Sequence, residues 1–371
     1  MYTSVAATII STIFLSNRLG NRKTILLAMY LSIFFTILCA IVPNYWTLLV
    51  SRIMVGCCVG LNVHPVGVFL SQGASTRGVF VTGTWVWLLA YGIACVWVGV
   101  LAYLSLEQLD WRLFVLVTSL PAFIPPIFML HLVFTEDFRR VDPDNRNLTV
   151  ETQVQRDTLF WVNLFKVSAA YLLLEVLKYG GVLLAPNLIR AINEKEADFQ
   201  SEDPCSYVVK GDQFLYLAAA NMGLLLSSLL TYFIRDRVPF IWKHLLAALF
   251  CFTGYILLAV IPNNQTAAMV TAVAFVENLV IDAALCDLTL LQYDEQFFGT
   301  GNLNLASNVI GASAAIGYII GSFFASFFST QVAVIIFLFV CIFYALLMLS
   351  IEFKKLGCKC ITQSIRYEQF S

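Results

Sequence analysis

The stretch NYWTLLVSRIMVGCCVGLNVHPVGVFLSQ, residues 44–72, decides the fold. It is apolar almost throughout and longer than the roughly 20 residues a helix needs to cross a bilayer. One arginine, Arg52, sits inside it, with Gly56 and Gly60 following at four-residue steps. A charge within a membrane span is costly, so it normally faces protein or a polar cavity rather than lipid. Glycines four apart share one helix face and let a second backbone approach closely. A helix with a buried cation and a smooth contact face suits the moving, substrate-lining part of a transporter. The competing reading is an arginine that snorkels to the interface near Asn44, about two turns away.

Working outward, the rest of the chain has the same character. Of 371 residues, 60% are hydrophobic and 12% charged, which excludes an ordinary soluble domain. The formal net charge is −1, so nothing points to nucleic acid. Ten cysteines are scattered without metal-ligand spacing. The first apolar run lacks the basic leader and small-residue site of a cleaved signal. No nucleotide-binding loop, metal cluster or catalytic triad is present, so neither an enzyme nor a cofactor is expected. Energy would have to come from a gradient.

Apolar runs place eleven spans. Span one covers Tyr2–Leu15, span two Thr24–Val42 and span three Tyr45–Gln72. Span four covers Gly78–Leu104, and span five Leu113–Phe134, interrupted by Pro121 and Pro125-Pro126. Span six, Leu159–Ile189, is too long for one straight crossing, and a break at Gly180-Gly181 and Pro186 is expected. Spans seven to eleven are Phe214–Ile234, His244–Ile261, Thr266–Gln292, Leu303–Ser329 and Val332–Phe353. The expected organisation is therefore an N-terminal bundle over residues 1–134, a linker over 135–158, a C-terminal bundle over 159–353 and a tail over 354–371.

Alternate loops carry 15 of the 22 Lys and Arg residues, against 4 on the other face. That asymmetry puts the linker and tail in the cytosol. The two halves repeat one plan, with short basic loops at Asn17-Arg18 and Asp236-Arg237. The second half has a complete extra span before its basic loop. The first half lacks the equivalent, so its first helix is expected to be missing here.

On these features the chain resembles the major facilitator superfamily. The loop after span one is similar to the family's Gly-x-x-x-Asp-Arg-x-Gly-Arg-Arg/Lys motif through Arg18, Gly20 and Arg22, with Ile13, Asn17 and Asn21 as departures. The Arg52/Gly56/Gly60 helix, Arg77-Gly78, Trp111-Arg112 and Glu136-Asp137 with Arg139 also match. Lys178-Tyr179-Gly180-Gly181 and the Ile281-Asp282 to Leu288-Thr289 segment look like the branch around synaptic vesicle glycoprotein 2 and the organic cation transporters. The resemblance implies an all-α, two-bundle membrane fold of about 11 helices, with alternating access to a central cavity. It also implies a gating role for Asn17, Arg18, Gly20, Arg22, Arg77, Asp236 and Arg237. Asn17 keeps hydrogen bonds but not the charge of the family's Asp, so a latch there is weakened. In the second half Pro239 replaces the loop glycine, and Asn308 stands where an Arg is usual.

Candidate pathway residues follow from the ionisable groups inside spans: Arg52, His64, Glu175, Lys178, Tyr179, Glu277 and Asp282. Glu175 and Lys178 are three apart and are expected to neutralise each other on one helix face. Glu277 is a candidate partner for Arg52, and Asp287 is expected at the interface. His64 titrates near neutral pH when unperturbed, but beside Pro65 a packed polar role competes. Trp85, Trp87, Tyr91, Trp97 and Tyr179 supply an aromatic surface suited to an organic cation, or to an interfacial belt. Gly56 and Gly60 are read as helix-packing positions. Expected partners are membrane lipid, a small organic solute and a coupling ion. The alternative is a non-transporting vesicle or membrane interaction protein that keeps the fold.

Overall fold

The computed structural model describes residues 19, 21–42, 44–73, 77–105, 111–127, 158–196, 211–234, 237–260, 266–292 and 303–350. Span one, the central linker and the tail lie outside these residues. The described segments form ten α-helices: α1 Asn21–Ile41, α2 Tyr45–Gly73, α3 Arg77–Ser105, α4 Trp111–Ser119, α5 Thr158–Glu196, α6 Gly211–Ile234, α7 Phe240–Val260, α8 Ala267–Gln292, α9 Leu303–Phe327 and α10 Thr330–Ser350. Among the described residues, eight helices are long and apolar enough to span a membrane.

Local chemistry explains the helix ends. The Asn44 side chain accepts the Thr47 backbone N–H at 2.9 Å, which satisfies an otherwise orphaned donor at the start of α2. Thr266 does the same for Met269 at the start of α8. At α4 the helix tightens into a 3₁₀ turn over Leu120–Phe123, with Pro121 in its first positions. Proline's missing N–H fits there and opposes continuation of the α-helical ladder.

The expected break in span six does not occur. Thr158–Glu196 is one continuous helix of 39 residues with Pro186 inside it. Gly180 and Gly181 are accounted for by packing instead. A Cβ on Gly180 would lie 2.2 Å from the Phe337 ring of α10. One on Gly181 would crowd the Glu277 carboxylate of α8 at 3.1 Å. The pair therefore admits neighbours and leaves the helix unbroken.

α5 is the central rod of the second half, packed by α8, α9 and α10. Its Leu174 and Leu177 join Ile281 and Leu288 of α8, Tyr255 of α7, and Phe337 and Tyr344 of α10 in the buried core. In the first half α1 lies along α2, and α3 lies along α6 of the second half.

The α3–α6 contact is a seam with a seven-residue repeat. Trp85 packs on Tyr232 with ring centres 4.9 Å apart, and its Nε1 donates to the Ser228 carbonyl at 2.7 Å. Gly92 faces the backbone of Leu225, and Gly99 faces Ala218. Steps of seven along α3 thus meet steps of seven back along α6, so the helices run antiparallel. A seven-residue period keeps one stripe facing the partner. A Cβ on Gly92 would lie 2.8 Å from Leu225 Cα, so only glycine allows this approach.

Candidate solute pathway

Lys178 of α5 is the hub of the polar interior. Its Nζ lies 2.7 Å from Oδ1 of Asp282 on α8. Ser227 of α6 donates to the other carboxylate oxygen at 3.1 Å. The same ammonium sits 4.9 Å from the centre of the Tyr91 ring on α3. Four helices therefore converge on one charge pair, and α3 comes from the first half of the chain. Both charged side chains are nearly sealed from solvent, at 9% and 2% exposure. In such a setting the close contact and the extra hydrogen bond are what make the charges tolerable.

Glu175 and Lys178 act on each other through space, but the direct partner of Lys178 is Asp282. No hydrogen bond or ion pair joins the two, although they share a helix face. Lys178 turns instead to Asp282 on the facing helix, which would otherwise be a buried charge without a counter-ion. Glu175 Oε1 accepts a long hydrogen bond from Tyr318 at 3.4 Å, and Oε2 is buried with no partner. The Tyr179 ring packs 4.2 Å from that of Tyr318.

Five residues before Asp282 on α8, Glu277 occupies a different setting. It is 5% exposed, and its Oε1 is buried without a hydrogen-bond partner. The carboxylate fits between two helices because both carry glycine there. A Cβ on Gly181 of α5 would lie 3.1 Å from Oε2, and one on Gly254 of α7 would lie 3.1 Å from Oε1. The Tyr255 hydroxyl lies on the same side of Gly181, beside the Glu277 carboxylate. Beside Glu277 lies a cavity of about 290 Å³ between α5, α6 and α8. Its polar lining is Lys178, Asn221, Glu277 and Asn278, and Val182 and Pro186 also contribute. Asn278 is anchored by donating to the Ala220 carbonyl at 3.1 Å.

Other expectations fall differently. Arg52 is exposed on α2 and makes no ion pair with Glu277, which is enclosed by α5 and α7. Asp287, expected at the interface, is buried and paired with Lys243 Nζ at 2.6 Å. Gly56 and Gly60 are buried on α2. His64 and Arg77 lie within α2 and α3, and Arg22 within α1, but their side chains are outside the described set, as is that of Trp87. Asn17, Arg18, Gly20 and Asp236 are outside the described residues, and Arg237 lies in an exposed turn. Sequence reasoning missed Ser227, Gly254, Tyr255 and Tyr318. The signal for them was a hydroxyl or a glycine inside an apolar span, which matters only once a facing carboxylate is known.

A helical membrane protein with buried charges around an internal cavity has the form of a solute carrier. The chain belongs to the major facilitator superfamily, whose family model matches residues 1–291, and this is a family of secondary transporters rather than enzymes. A similar solved structure is that of the proton:xylose symporter XylE, a protein of this superfamily, bound to 6-bromo-6-deoxy-D-glucose. It matches with a TM-score of 0.69 at 14% sequence identity, covering 94% of this chain and 84% of that one. No curated protein matches the sequence.

Proposed function

We propose that the chain carries a small organic cation across a membrane by alternating access, with the α5–α6–α8 cavity as part of the solute route. One observation carries this reading. Among the described residues, the acids Glu175, Glu277 and Asp282 are buried in this interior with the base Lys178, and of these Glu277 and Lys178 line the cavity. Lys243 and Asp287 balance each other and so contribute no counter-charge. Two negative charges are left over, and a buried charge without a partner is unfavourable enough to require a proton or a cation.

The branch around synaptic vesicle glycoprotein 2 and the organic cation transporters is part of this proposal. Its support is the Lys178-Tyr179-Gly180-Gly181 stretch with the segment around Asp282. The two-bundle division rests on the long polar segment at 135–158 and the repeated plan of the halves, and a cytosolic linker and tail on the loop charge asymmetry. Plasma membrane or intracellular vesicle is the proposed location. Arg52, exposed on α2, is the candidate charge for the other wall of the route.

Uptake of radiolabelled tetraethylammonium into proteoliposomes tests the reading. Glu277→Gln and Asp282→Asn are each expected to reduce uptake roughly tenfold or more, the worth of a charge-assisted contact. Equal uptake by both variants, with monodisperse protein retained, would remove these acids from the route.

A further inference from the structure

α6 runs unbroken from Gly211 to Ile234, and side chains from both halves of the chain donate to its main-chain carbonyls. Trp85 of α3 donates to the Ser228 carbonyl at 2.7 Å, and Asn278 of α8 to the Ala220 carbonyl at 3.1 Å. From α6 itself, Ser227 donates to the Leu224 carbonyl, Ser228 to that of Leu225 and Thr231 to that of Ser227, each at 2.7 Å. These carbonyls all fall between residues 220 and 228, little more than two helical turns. Ser227 is also the donor to Asp282 at 3.1 Å, and its single proton serves one acceptor at a time. Within the same stretch Gly223 rests on the main chain of α8, where a Cβ would lie 2.3 Å from the Phe275 carbonyl oxygen.

A helix in lipid resists bending because parting an N–H from its carbonyl strands both groups. A carbonyl oxygen has two lone pairs, so one that already holds a side-chain donor stays satisfied when its helical N–H withdraws. The freed N–H can turn to a neighbouring carbonyl by a local 3₁₀ or π adjustment. Back-bonding by Ser and Thr also weakens the ladder slightly and bends helices. We infer that residues 220–232 of α6 form a hinge that pivots on α8 at Gly223. Across it, Asn221 at the cavity wall moves relative to Ser227 at the charge pair. The Ser227 proton couples the two ends: on the Leu224 carbonyl it loosens the ladder, and on Asp282 it holds the pair. The hinge rests on contacts of the main chain and is independent of what solute is carried.

Hydrogen–deuterium exchange of the full chain in nanodiscs, resolved to single amides by gas-phase fragmentation, provides the test. The amides that bond the shared carbonyls lie four residues on, at Leu224, Ser228, Leu229, Thr231 and Tyr232. They are expected to exchange about tenfold faster, or more, than the amides of Phe337–Cys341 in the middle of α10. Ser228→Ala combined with Thr231→Val removes two hydroxyl donors and leaves Ser227 and Trp85 in place. In that variant exchange at positions 229 and 231 is expected to slow roughly three- to tenfold, the worth of removing one competing hydrogen bond from each carbonyl. The sign decides, because hydroxyls that merely propped up the helix would give faster exchange once removed. Faster or unchanged exchange at these positions overturns the hinge. So does an unsubstituted α6 whose amides at 224–232 are as protected as those of α10, a result that needs no variant to fold.

Discussion

The α3–α6 seam and the α5–α6–α8 interior share one helix and are built from opposite materials. One face of α6 meets α3 through Ala218, Leu225 and Tyr232, with glycines opposite two of them and no ion pair along the stripe. Another face supplies Ser227 to Asp282 and Asn221 to the cavity. The seam gains from close backbone packing, where each contact is small and the loss of one is shared among its neighbours. In the interior the removal of one group strands another. The neutral, evenly spaced seam thus has no charge to strand, whereas the interior has several.

The largest expected effect breaks the interior. Lys178→Met leaves Asp282 buried without its cation and should destabilise the protein by about 3–5 kcal/mol, read as a lowered thermal midpoint of the purified chain. Combining it with Asp282→Leu should recover most of that loss, because neither charge is then stranded. A double variant as unstable as the single would mean that the pair is not the relevant contact.

The seam should respond less. Gly92→Leu places a side chain against the Leu225 backbone and should cost about 1–3 kcal/mol by forced separation of the helices. Gly99→Leu should add to it almost independently, since the two sites are two helical turns apart and touch different residues. Strong non-additivity would show the seam to act as a single unit instead of a row of separate contacts.

The smallest effect belongs to Arg52. As an exposed residue its replacement by Gln should change stability by no more than about 0.5 kcal/mol. A loss comparable to that of Lys178→Met would place a buried partner beside it and move α2 into the charged class.

Arg52 and Glu277 also show where reading a sequence stops. Each is an ionisable residue in an apolar run, and pattern alone treats them alike. The helix positions were legible because apolar length and turn residues are local properties. The predicted Tyr45–Gln72 span and the observed Tyr45–Gly73 helix differ by one residue. Partner choice was not legible, because it depends on which faces meet. Glu175 and Lys178 satisfy the spacing rule for a helix pair, yet the deciding contact lies 104 residues away at Asp282. The glycine pair at 180–181 was ambiguous for the same reason. Glycine weakens a helix and also admits neighbours, and only the Phe337 ring and the Glu277 carboxylate identify which property is in use.

Pro186 has a consequence for what the chamber can recognise. Lacking an N–H, it cannot close the helical bond to the carbonyl four residues earlier, that of Val182. Both residues line the cavity. The Val182 carbonyl, which has no titration curve, therefore loses its ordinary helical donor at a residue of the cavity wall. Neutralising every carboxylate would leave that oxygen in place, since it belongs to a peptide bond.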